Sequence, residues 1–281
     1  MIKILSLVEN TSSSPELKSK HGLCIYIENS RHKILFDLGP NALFLENAQK
    51  LGVDIRTVDT VIVSHGHADH GGALAKFMEV NKTARIYIKE SAFDKHYTKV
   101  AGMPLRVGID NSLRDRQQIT FTTDHYVIDD ELMLFSNVTG RKLYSKANDK
   151  LFVKRNGKIV PDQFEHEQYL VITDGDKQIM ITGCSHNGIV NIIEKYTEIN
   201  KGSMDKLACV LGGFHLFNPI TRKYENDELI SDVAEYLRGL DVKFYTCHCT
   251  GQKAYKILKD GMGGQIDYLS TGTRVECLSY L

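Results

Sequence analysis

Three histidines and an aspartate fall within six positions of this 281-residue chain: His65, His67, Asp69 and His70, in the stretch VIVSHGHADHGG at 61–72. The whole chain holds only 11 histidines, so composition alone does not account for the cluster. An apolar run leads in, and a Gly pair with a helix-like segment over 73–79 leads out. In an extended segment, side chains at i and i+2 point the same way, so His65 and His67 can grip one ion together. As the chain turns into a helix, Asp69 and His70 become free to face a second ion beside the first. Imidazole with carboxylate suits zinc, and iron or manganese as well. The competing reading is a histidine-rich surface turn.

Further donors follow apolar runs later in the chain. His186 comes after QIMITG, His215 after ACVLGG and His248 after KFYTC. Taken singly, a histidine at a strand end is usually a satisfied structural residue. Three of them, in order behind SHGHADH, read as parts of one site.

The elements that must position these groups come in two batches. Strand signals occupy 2–8, 23–28, 33–37, 60–64 and 85–89, then 169–173, 178–182, 207–212, 243–247 and 266–270. Amphipathic stretches predict helices over 42–51, with Gly52 as C-cap, and over 189–199, 227–240 and 252–258. No Pro-rich or Ser/Gly-rich linker divides the chain, so 1–281 reads as one domain. The region 91–164 is long and mixed, and reads as a lid insertion or a surface excursion. It contains a hairpin-like YVIDDELMLFS with Asp129-Asp130 at its turn. Arg106, Arg114 and Arg116 within it could meet a substrate phosphate or carboxylate; ordinary solvated charges are the alternative.

Composition predicts a soluble, cytoplasmic enzyme. Hydrophobic residues make up 42% and charged residues 25%, enough to bury a sizeable core. The 35 basic residues balance 35 acidic ones, so no net field draws the chain to nucleic acid or anionic membrane. No apolar stretch approaches the ~20 residues of a membrane helix. MIKILSLVEN turns polar too soon for a signal peptide. The six cysteines form no CxxC pair, which argues against a disulfide framework.

SHGHADH after a strand resembles the metal-binding signature of the metallo-β-lactamase superfamily. The opening hairpin ending in ILFDLG, then TGCSHNG (182–188), GGFHL (212–216) and HCTG (248–251), extend the likeness along nearly the whole chain. The last three segments together resemble the subgroup typified by archaeal dihydropterin–ribofuranosylaminobenzene-phosphate synthases. The resemblance implies an α/β fold, a four-layer αββα sandwich with metals at the edge where strand ends converge. By the family pattern, His65, His67 and His186 hold one metal and Asp69, His70 and His248 the other. Many superfamily members carry a bridging Asp in a Gly-Asp pair after the strand matching QIMITG. Here the chain has Gly183-Cys184-Ser185-His186, so His186 or Cys184 takes that position and the second ion becomes the weaker one. Cys184 reads equally as a thiolate ligand or an inert buried residue.

Around these ligands, His215 is expected to contact substrate or donate a proton to a leaving group. Asp37 is expected to orient a ligand imidazole, or else to cap a turn. Cys247 and Cys249 read as core residues pointing away from His248. His21, His32, His96, His125 and His166 read as surface or structural residues. TGTR (271–274) could aim Thr271, Thr273 or Arg274 at a substrate, with a turn carrying a surface Arg as the plainer reading.

One or two divalent ions, Zn first and Fe or Mn next, would bring the pKa of bound water from ~15.7 towards ~7. That predicts a hydrolase of a small ester or phosphorylated substrate acting through metal-bound hydroxide, with Asp69 and His215 as its catalytic groups. The subgroup implies a second chemistry. There, a dihydropterin methyl diphosphate is joined to a ribofuranosylaminobenzene phosphate and diphosphate leaves, so a pterin-like partner is also expected. A metal-binding or sensor protein without catalysis is the reading from another class.

Overall fold

The computed structural model of the chain describes residues 2–276. Among these, two seven-stranded sheets carry the fold. The first runs, in spatial order, Arg274–Glu276, Lys3–Val8, Cys24–Glu28, Lys33–Phe36, Thr60–Ile62, Arg85–Ile88, Ile119–Phe121. The second runs Ile266–Tyr268, Lys243–Thr246, Leu207–Gly212, Lys177–Ile181, Tyr169–Asp174, Leu132–Phe135, His125–Val127. In each, antiparallel hairpins give way to parallel strands: Lys33–Phe36 through Ile119–Phe121 in the first, Lys177–Ile181 through Ile266–Tyr268 in the second.

Strand periodicity explains the layering. Along the first sheet, Leu5, Leu7, Cys24, Tyr26, Leu35 and Val61 face one way. Their neighbours Ile4, Ile25, Ile27, Ile34, Phe36 and Ile62 face the other, as the two-residue pleat requires. The first set packs with Phe44, Ala48, Leu74 and Phe77 from helices Leu43–Leu51 and Leu74–Val80. The second set meets Leu134, Leu170, Ile172, Ile179, Ile181 and Leu211 of the other sheet. That sheet's outer face (Val171, Met180, Val210, Phe244) is covered by helices Ile189–Ile199, Asp227–Arg238 and Gln252–Met262. Helix, sheet, sheet and helix therefore stack as an αββα sandwich. No helix among the described residues is long and apolar enough to cross a membrane.

The stretch 91–164 is more than one excursion. Its Ile119–Phe121 extends the first sheet, and His125–Val127 with Leu132–Phe135 forms the edge of the second. The Asp129 side chain accepts from Glu131 and Leu132 N–H at that hairpin's turn. The strands His96–Val100, Met103–Arg106, Leu151–Arg155 and Lys158–Pro161 form a separate four-stranded sheet. Apolar alternation in such short strands is too brief to betray which sheet they join.

Candidate metal centre

The loops that follow five strands gather on one side of the sandwich. Asp37 follows Lys33–Phe36, and His65 to His70 follow Thr60–Ile62. Cys184 and His186 follow Lys177–Ile181, His215 follows Leu207–Gly212, and His248 follows Lys243–Thr246. Parallel strands leave their carboxyl ends together, the usual place for a site in α/β folds. The two halves touch at Gly183, where a Cβ would lie 2.2 Å from Ser64 Oγ. Asp37, Ser185, His215 and His248 all adopt positive φ, between 48° and 60°. Such conformations are uncommon for non-glycine residues and concentrate where a site demands them.

His65, His67 and His186 converge, with ligand atoms within 4.8 Å of one another. Each is buried, and the Nε2 of each has no hydrogen-bond partner. Their other nitrogens explain the direction. His65 Nδ1 lies 2.8 Å from Ser64 Oγ, which donates to Asp37 at 2.7 Å. That hydroxyl therefore accepts the Nδ1 proton and leaves the Nε2 lone pair bare. Asn148 holds His186 at two points: its Nδ2 donates to the His186 carbonyl at 2.8 Å, and its Oδ1 accepts from Nδ1 at 2.9 Å. Burial pushes all three imidazoles well below the ordinary 6.5, with neighbouring histidines adding to the effect. Neutral imidazoles with bare, water-excluded lone pairs are what a cation resolves.

Beside them, Asp69, His70 and His248 form a second set. His70 Nε2 lies 3.2 Å from His248 Nε2, and Asp69 Oδ2 lies 3.9 Å from the former and 3.3 Å from the latter. Asn10 clamps His248 as Asn148 clamps His186, through its carbonyl at 3.0 Å and Nδ1 at 2.9 Å. His70 Nδ1 donates to Asp37 Oδ2 at 2.6 Å. Burial disfavours charge on His70, but Asp37 and Asp69 outweigh it and lift its pKa to about 9. The donor set of both groups, imidazoles with one carboxylate, fits divalent metal once His70 gives up its Nε2 proton to the entering ion.

Asp37 is wholly buried and accepts from Ser64 N–H, Ser64 Oγ and His70 Nδ1; it orients the histidine loop and caps no helix. His215 sits 4.1 Å, ring to ring, from His186, with neither ring nitrogen hydrogen-bonded. Cys184 Sγ lies 3.1 Å from His70 Nε2. A cleft of about 380 Å³ opens over these groups, walled by Leu105, Val107, Leu151, Pro219 and Ile220.

Several expectations change. Arg106 reaches this cleft, where its guanidinium donates to the Ile109 carbonyl and to Asn111. Arg114 is paired with Glu90 in a different cleft, and Arg116 is exposed outside the site cleft. Arg274 lies in another cleft beside Lys3 and Tyr26, because its strand is the far edge of the first sheet. Cys249 is a cleft residue, accepting from His215 N–H and donating to the Cys184 carbonyl. His248–Thr250 is a 3₁₀ turn, so strand alternation does not send Cys249 into the core as it does Cys247. His21 is a cleft residue too, 3.2 Å from Asp69 Oδ2 and with its ring 4.6 Å from that of His248. His96 and His166 are buried behind His67, both bonded to Asp162 Oδ2. Only the clustering of EHE at 165–167 hinted at this.

A family model described as the metallo-beta-lactamase superfamily matches residues 20–196. The chain is 30% identical over 262 residues to an uncharacterized protein of Methanocaldococcus jannaschii, covering 90% of this chain and 92% of that one. It is 29% identical over 296 aligned residues to that organism's 7,8-dihydropterin-6-methyl-4-(beta-D-ribofuranosyl)-aminobenzene-5'-phosphate synthase, covering 96% and 95%. Among solved structures, a metal-dependent hydrolase of the beta-lactamase superfamily superposes with a TM-score of 0.80 at 30% identity, covering 98% of this chain and 99% of that one.

Proposed function

The chain belongs to the metallo-beta-lactamase superfamily, and from that premise we propose that it is a metal-dependent hydrolase of a small ester or phosphorylated substrate. The observation that carries this reading is the convergence of bare, buried Nε2 atoms from His65, His67 and His186 beside Asp69, His70 and His248. The first three would hold one divalent ion and the second three another, zinc first among the candidates. Bound there, such ions supply Lewis acidity to a phosphoryl or carbonyl oxygen and make water more acidic.

The chain's own residues then bind, orient and move protons. Asp37, through Ser64 and His70, keeps both histidine sets aimed inward. His215, unpartnered and beside His186, donates a proton to the departing oxygen. Asp69 and His21, joined at 3.2 Å and partly exposed at the cleft, pass the released proton to solvent. The apolar wall of Leu105, Val107, Leu151 and Ile220 limits water around the substrate, and the four-stranded sheet that bears Leu105 and Leu151 serves as its lid.

The similarity to a synthase across 95% of that protein supports a second reading. In it, the same groups assist displacement of diphosphate from a pterin methyl diphosphate by an arylamine substrate. Two measurements separate the readings. Metal per chain is expected to fall in His186→Ala, together with hydrolysis of nitrophenyl phosphodiesters; full metal retention overturns the ligand assignment. With pterin methyl diphosphate, diphosphate release without an arylamine acceptor supports the hydrolase, and release that requires it supports the transferase.

A further inference from the structure

The two ligand sets are poor in negative charge. His65, His67 and His186 offer three neutral imidazoles; among the described residues Asp69 is the carboxylate that faces the ligand nitrogens of His70 and His248, while the Asp162 oxygen that groups with His67 is bound to His96 and His166. The other buried acids nearby are already engaged. Asp37 accepts from Ser64 and His70 Nδ1, on the side of that ring turned away from the cluster. Glu9 accepts from the N–H groups of Thr11 and His248. Glu167 accepts from those of His186 and Asn187, and Asp162 from His96 and His166. Two divalent cations facing one carboxylate call for another anionic donor.

Two thiols are within reach. Cys249 Sγ is engaged by backbone on both sides, accepting from His215 N–H at 3.3 Å and donating to the Cys184 carbonyl at 3.4 Å. Cys184 Sγ is placed differently. It lies 3.1 Å from His70 Nε2 and is buried. It groups within 4.8 Å with the ligand atoms of His65 and His70, with those of His186 and His215, and with those of His248 and Cys249. It thus reaches members of both sets. We propose that Cys184, as a thiolate, is a ligand shared between the two metals.

This rests on the metal-dependent reading above and assigns the missing anion to a specific sulfur. Soft thiolate favours zinc over magnesium or manganese at the pair. The Cys184 thiol proton leaves to solvent as metal enters, so metal uptake releases more protons than in a variant lacking the thiol.

X-ray absorption on the zinc-loaded full chain tests this without any substitution. A zinc–sulfur shell at about 2.3 Å is expected. It should vanish in Cys184→Ser and Cys184→Asp and persist in Cys249→Ser. Cys184→Asp restores an anion and should keep wild-type metal content, whereas Cys184→Ser should bind the weaker ion at least tenfold less tightly. With cobalt in place of zinc, the thiolate-to-metal charge-transfer band should follow the same pattern. Wild-type protein that binds zinc with only nitrogen and oxygen scattering overturns the bridge and leaves the hydrolase reading standing. A sulfur shell that survives Cys184→Asp reassigns it to Cys249 and overturns it equally. Wild-type protein that binds no metal overturns both readings together.

Discussion

Asp37 is the residue on which most of the ligand geometry depends, because its two oxygens receive three donors from one short loop: Ser64 N–H, Ser64 Oγ and His70 Nδ1. Through Ser64 it also sets the tautomer of His65. Asparagine in its place has one acceptor oxygen and a donor where a second acceptor is needed. Asp37→Asn is therefore expected to weaken metal binding by about 10–100-fold, the usual effect of losing such an outer partner. Competition with a chromogenic chelator measures it, and unchanged affinity would remove Asp37 from this role. The ligand histidines themselves were legible because His65, His67 and His70 stand close in sequence and the rest end apolar runs. Asn10 and Asn148 were not. Each clamps a histidine from 238 or 38 positions away, and an asparagine in a loop carries no spacing that announces such a partner. Cys249 departs from strand alternation for a local reason, since the strand ends one turn earlier than alternation assumes.

At the scale of elements, each ligand loop is tied down by a buried carboxylate from another segment. Glu9, just after the first strand, accepts from His248 N–H and Tyr268 Oη, both at 2.7 Å. Glu167, just before Tyr169–Asp174, accepts from His186 N–H, Asn187 N–H and Nδ2, and Tyr169 Oη. Asp162 accepts from His166 Nε2, whose Nδ1 in turn accepts from Gly66 N–H at 3.0 Å. These ties hold backbone in conformations, such as φ 57° at Ser185 and 52° at His248, that the local chain would not choose. Removing one strands buried donors, each costing about 1–3 kcal/mol. Glu167→Ala is therefore expected to destabilise the fold by roughly 2–4 kcal/mol in urea titration; a loss well under that range would mean water replaces the carboxylate. The strands and helices around these ties were readable from periodicity. The ties were not, because a buried Glu beside a strand looks in sequence like any solvated turn residue.

For the whole molecule, the site joins two half-sandwiches that each bury their own outer core, so its ionisation bears on the stability of the assembled pair. Burial depresses His65, His67, His186 and His248 below the ordinary 6.5, although Asp69 offsets part of the effect at His248. Without metal, the unfolded chain takes up those protons near 6.5 while the folded one resists them. Stability must therefore fall as pH drops through about 6.5. His70 runs the other way. Burial lowers its pKa, but Asp37 and Asp69 lift it to about 9. Its contribution is complete below 6.5 and disappears as pH rises through about 9. The metal-free chain should then be most stable between those two values, with the acid side steeper because five depressed imidazoles, these four and His96, act there against the raised His21 and His70. Thermal unfolding in chelator, followed by circular dichroism across the range, measures this. Added zinc should raise the midpoint throughout, by about 2.7 kcal/mol of stabilisation at a hundredfold excess over its dissociation constant, and should lose that effect as acid protonates the ligands. A metal-free midpoint that keeps rising towards acid would mean that the imidazoles become protonated without opening the cluster, and that the two halves are not held together through it.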